Sequence, residues 1–116
     1  MTLRDREAFL WDMLQAARTI ETFIEGKTVD EYESDDLLRS AVERQFLIIG
    51  EAASQAVRRF PDLQKEISEI ARIIAFRNRL IHGYAVISDD VVWAIAHDEL
   101  PQLRGDIEAL LEDPTG

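Results

Sequence analysis

Cysteine is absent from this chain, histidine occurs twice, and glycine only five times. Without thiols there is no disulfide, no zinc–thiolate site and no cysteine nucleophile, which suits a reducing cytoplasm. The two histidines, His82 and His97, do not form the helical pair of a zinc protease. The glycines are not arranged as a phosphate loop or a serine nucleophile elbow. No apolar run is long enough to span a bilayer, and the charged start Met1-Thr2-Leu3-Arg4-Asp5-Arg6-Glu7 is unlike a secretory signal. Basic residues are scarce too: 13 against 23 acidic ones, a formal charge of −10, which counts against general attraction to nucleic acid. The expected location is cytoplasmic, with no membrane segment.

What remains is a chain for helices. Apolar residues make up 47% and charged ones 31%, the balance of a folded domain rather than a disordered one. A chain of 116 residues fits one core, so a single domain is expected over residues 1–112, with 113–116 as a frayed tail. Leu3, Leu10, Met13, Leu14, Ala17, Ile20 and Ile24 repeat at helical spacing over residues 2–25, with Thr2 as N-cap and Gly26 as stop. Lys27 to Glu33 carries no stripe. Ser34-Asp35-Asp36 reads as the cap and acidic first turn of a second helix ending before Pro61.

The second helix runs apolar from Leu37 through Ile48 and Ile49 to Val57, wider than one stripe requires, so it is expected to pack on two sides. Gly50, Ala52 and Ala53 would admit another backbone, from this chain or a second copy. A third helix covers Leu63 to His82, broken once near its start, with Ile67, Ile70, Ala71, Ile73, Ile74 and Leu80 inward and Gly83 as terminator. Ala85-Val86-Ile87 connects to a helix capped by Ser88, which Pro101 kinks or restarts before Leu103, Ile107, Leu110 and Leu111. Strand signals and internal repeats are absent, so the fold class is all-α, with four to five helices.

The acidic surplus is uneven. From Ala71 to Ser88 there is no Asp or Glu, while Arg72, Arg77, Arg79 and His82 fall there. Arg77 offers a cationic fork for phosphate oxygens, His82 can move a proton near neutral pH, and Tyr84 adds a hydroxyl. These are parts of a metal-free ribonuclease. On a regular helix Asn78 and His82 share a face, whereas Arg77 and His82 lie about 140° and roughly 7.5 Å apart. Two devices would close that gap, and both are expected together: a bend at Gly83 that swings His82 and Tyr84 away, and a two-fold dimer facing one motif with another.

Arg77, Asn78, Arg79-Leu80-Ile81, His82, Gly83, Tyr84 reads as Arg, polar, three variable positions, His, any residue, Tyr. In this it resembles the HEPN-domain proteins of the HepT-like type, the toxin half of HEPN/nucleotidyltransferase toxin–antitoxin pairs of the type VII kind. The flanks Ile48-Ile49-Gly50-Glu51-Ala52-Ala53, Val92-Trp93 and Asp98-Glu99-Leu100-Pro101 extend the likeness over almost the whole chain. The resemblance implies an antiparallel helical bundle that forms a homodimer, its two motifs lining a shared cleft that cleaves RNA without a metal or cofactor. His82 would act on the ribose 2′-hydroxyl, Arg77 on the charged phosphorane and Asn78 as an orienting group. Tyr84 would accept AMP from an MntA-like nucleotidyltransferase antitoxin.

Blander alternatives stand beside each residue. An Arg or His near a helix C-terminus often only balances the dipole, and a tyrosine is often a core-edge aromatic. Glu51 and Arg79 are secondary cleft candidates, and Glu51 would otherwise face solvent or pair with Arg58 or Arg59. His97 beside Asp98 and Glu99 is a poor metal set and reads as helix surface. The acidic run from Asp30 to Asp36 lacks calcium-loop spacing and reads as a solvated loop and cap. The rival function is a non-catalytic helical interaction or nucleotide-binding module that partners a nucleotidyltransferase.

Overall fold

The computed structural model describes residues 2–83 and 87–112, and there the chain forms helices and no strand. α1 (Leu3–Ile24) starts at a capping box in which Thr2 accepts from the Asp5 amide and the Asp5 carboxylate accepts from the Thr2 amide. Gly26, at φ 73°, then turns the chain in a conformation side chains disfavour. α2 (Val29–Ser34) and α3 (Asp36–Arg59) follow, then α4 (Leu63–Glu66), α5 (Ile70–His82), α6 (Asp89–Ala94), a π turn (Ile95–Glu99) and α7 (Leu100–Leu111). The last three segments run on without a break, so the described residues build four long rods and two short ones.

Ion and ring contacts fix the directions of the rods. The Arg59 guanidinium lies 5.3 Å from the Phe9 ring centroid, so the end of α3 meets the start of α1. Arg104 donates to Glu21 at 2.6 Å and Arg18 to Glu108 at 2.8 Å, which sets α7 antiparallel to α1. α3 packs against both α1 and α5, as its wide apolar surface requires. Leu10, Met13, Ile20, Val42, Phe46, Ile49, Ile70, Ile73, Leu103 and Ile107 form the buried core, with Phe46 and Phe76 edge to face at 5.1 Å.

Several expectations need correction. The stretch from Lys27 to Glu33 is not structureless: Thr28 accepts from the Glu31 amide at 3.2 Å, Glu31 accepts from the Thr28 amide at 3.0 Å, and the enclosed turn is helical. The acidic run is therefore mostly helix, anchored by Tyr32, whose ring is fully buried 5.8 Å from that of Trp93. Burial, with Glu43 and Asp89 adding repulsion, pushes the Tyr32 phenol well above its ordinary value. Among the described residues its hydroxyl has no hydrogen-bond partner. Asp35, not Ser34, caps α3 by accepting from the Leu38 amide at 3.0 Å. Leu37 is 80% exposed and Ala71 is also exposed, both at the edge of their stripes.

The expected break in the third helix falls between α4 and α5. Pro101 acts as a restart: its ring would clash with the carbonyl of residue 97 in a regular helix, and the backbone widens into a π turn just before it. Residues 113–116 lie outside the described residues. Among the described residues no helix is long and apolar enough to cross a membrane.

Candidate functional site

The site begins with a missing side chain. α3 and α5 cross at Gly50, where a Cβ would overlap Arg77 Cβ and stand 2.5 Å from Arg77 Cγ. Gly50 is therefore a seat for α5 of the same chain; Ala53 is also buried, while Ala52 borders an open groove. This close approach pins the stem of Arg77, and its guanidinium reaches the surface at 21% side-chain exposure.

There the fork is shared. Arg77 Nη1 donates to Asn78 Oδ1 at 2.8 Å, and Nη2 pairs with Glu51 Oε2. Glu51 Oε1 in turn accepts from Gln55 Nε2 at 2.9 Å. Arg77 Nε is buried and has no hydrogen-bond partner among the described residues. Glu51 thus pairs with Arg77, and the alternative partners Arg58 and Arg59 lie at the far end of α3. A guanidinium held on two sides in this way is oriented before any ligand arrives.

α5 stays helical through His82, and only then does Gly83, at φ 59°, cap it in the left-handed conformation. The bend expected at Gly83 therefore comes too late to move His82. Arg77 and His82 keep their regular offset of about 140° and roughly 7.5 Å on one chain. His82 is exposed and engaged in a further interaction. Tyr84, with Ala85 and Val86, lies outside the described residues.

An open groove of about 750 Å³ runs from Arg77 and Ile81 along the face between α1 and α3. Arg44, Ile48, Glu51 and Gln55 line it from α3, and Asp12, Gln15 and Thr19 from α1. The spacing of 44, 48, 51 and 55 marks one face of a helix, but nothing in the spacing tells which neighbour that face meets. Arg79 lines a separate depression between α5 and α6 with Arg72 and Val91, so the structure does not bring it to Arg77. Arg72 is neutralised by Glu99. His97 stacks on Trp93 at 5.6 Å and meets Asp98 at 2.8 Å, well away from the groove. Among the described residues no cluster of three or more His, Asp or Glu side chains could hold a metal ion.

Comparison with known proteins places these features. A "Probable ribonuclease HepT" of Thermococcus cleftensis is 32% identical over 92% of this chain and 96% of its own length. A protein of Methanocaldococcus jannaschii provisionally named an RNase is 30% identical over 100% of this chain and 95% of its own. A second protein of that organism, also provisionally named an RNase, is 30% identical over 93% of this chain and 98% of its own. No solved structure matches. The family model described as ribonuclease HepT-like matches residues 13–110, from within α1 to within α7. The chain belongs to the ribonuclease HepT-like family.

Proposed function

We propose that this chain is the toxin of a HEPN/nucleotidyltransferase toxin–antitoxin pair and acts as a metal-independent endoribonuclease. The observation that carries this reading is an arginine fork oriented by Glu51 and Asn78 at the mouth of a groove, five residues before the histidine of the same motif. In the reaction His82 accepts the proton of a ribose 2′-hydroxyl as that oxygen attacks the adjacent phosphorus. The bond from phosphorus to the 5′-oxygen breaks, and the leaving oxygen takes a proton, giving a 2′,3′-cyclic phosphate and a 5′-hydroxyl. Arg77 donates to the non-bridging oxygens, where charge accumulates in the transition state.

A dimer completes this chemistry. Because α5 is regular from Arg77 to His82, one chain spreads the two groups around its helix, and a two-fold partner supplies the missing member of each pair. Each composite site then holds one Arg77 and one His82. Purified wild type is expected to cleave RNA in EDTA, leaving cyclic phosphate ends, with Arg77→Ala and His82→Ala slower by about a hundredfold or more. Equal cleavage by all three proteins would discard the reading. No cleavage by any of them would favour the rival interaction module, to which the overall charge of −10 is better suited.

Tyr84 is proposed as the acceptor of AMP from an MntA-like nucleotidyltransferase. Phosphate charge and adenosine bulk beside the cleft would repel an RNA strand. After co-expression with such a partner, intact-mass measurement should show added AMP on the wild type and none on Tyr84→Phe. AMP retained by Tyr84→Phe would move the acceptor elsewhere.

A further inference from the structure

The groove reaches beyond the motif, and its far end carries a second cation. Arg44 lies on the same face of α3 as Glu51, seven residues earlier, which places it roughly 10 Å along the helix from the Arg77 pair. Arg44 is exposed, and among the described residues no carboxylate lies within ion-pair distance of it. Arg6, Arg18, Arg39, Arg72, Arg77 and Arg104 each meet a carboxylate; among the described residues Arg44 shares its unpaired state with Arg4, Arg58, Arg59 and Arg79 but alone among these lines the groove that holds Arg77. An unpaired guanidinium at one end of a groove that passes a phosphate-handling arginine is suited to a second phosphate of the same strand. Gln45, beside Arg44 on the groove wall, presents an amide that can meet ribose and base edges without choosing a sequence. Asp12 also lines the groove, but in the first half of α1, whose start meets the end of α3 and not Arg44.

We infer that Arg44 binds a phosphate flanking the scissile bond, which makes the face between α1 and α3 the track by which single-stranded RNA enters the site. This rests on the ribonuclease reading above, yet it is tested by binding rather than by turnover. In a His82→Ala background that cannot cleave, the affinity for a fluorescein-labelled, mixed-sequence single-stranded oligoribonucleotide is measured by anisotropy over a salt series. Adding Arg44→Ala should weaken binding about tenfold at low salt and lower the slope of log affinity against log salt by about 0.7, the share of one phosphate contact on a single strand. Alanine suits an exposed helix position, so folding is retained. Lys65→Ala on α4 removes the same charge away from the groove and should change neither quantity.

Equal losses in the two variants would mean diffuse attraction and overturn the assignment. So would unchanged affinity in Arg44→Ala, with the ribonuclease reading left standing, and so would a loss of dimer mass, which would make the groove an interface between copies. A His82→Ala protein that binds no RNA would remove both readings together.

Discussion

Gly50→Ala is expected to lower the melting temperature by on the order of 8 °C and to take RNA cleavage down with it. Two effects of the substitution oppose each other. Alanine is the better helix former by about 1 kcal/mol, which would stabilise α3. Against this, the new methyl group would overlap Arg77 Cβ and come to 2.5 Å from Arg77 Cγ, far inside the ~3.5 Å at which carbons rest in contact. A χ1 rotation could move Cγ, but Cβ is fixed to the backbone and no rotation clears it, so the two helices must part. Overpacking of this kind costs about 3 kcal/mol, and the clash wins by about 2 kcal/mol. In a chain of this size that corresponds to a loss of roughly 8 °C.

Gly105→Ala provides the internal control. Gly105 lies within α7 with nothing within 4 Å of an added Cβ, so only the propensity term remains and the melting temperature should rise. A Gly50→Ala protein that melts at or above the wild-type temperature would show that α3 and α5 do not meet as closely as described. Should it melt lower yet cleave at the full rate, Arg77 would not need this seat.

Mixing Arg77→Ala chains with His82→Ala chains, each inactive alone, is expected to restore cleavage to roughly a quarter of the wild-type rate. When the two variants assort freely, roughly half the dimers hold one chain of each kind, and each of these carries one complete composite site out of two. Recovery of that size cannot arise if Arg77 and His82 act together on one chain, because then every site lacks one of them. The geometry favours recovery: α5 keeps its regular turn through His82, and Gly83 bends the chain only afterwards. No recovery after co-refolding, with dimers confirmed by mass, would place both groups in one subunit and end the composite-site argument.

The helices were legible because their signals are local. Apolar spacing gave α1, α3, α5 and α7. Gly26 and Gly83 marked their stops through a conformation that suits glycine, and Pro101 marked the restart that the structure realises as a π turn. α2 was missed although its signal was present: Thr28 followed three residues later by Glu31 is a capping box, and Tyr32 is the one residue of that turn buried in the core. A six-residue helix shows too little of a stripe for periodicity to detect, and its acidic surface hid the single anchor.

Spacing and chain order alone were enough for the all-helical class, the ends of most helices and the motif residues Arg77, Asn78, His82 and Tyr84. It took the packed helices to show that Gly50 seats Arg77, that Glu51 joins Asn78 in orienting its guanidinium, that Arg79 faces another depression and that Arg44 shares the groove. The reason is distance along the chain: Glu51 and Arg77 are 26 residues apart. No local preference reports which face of α3 meets which turn of α5 until the two helices pack.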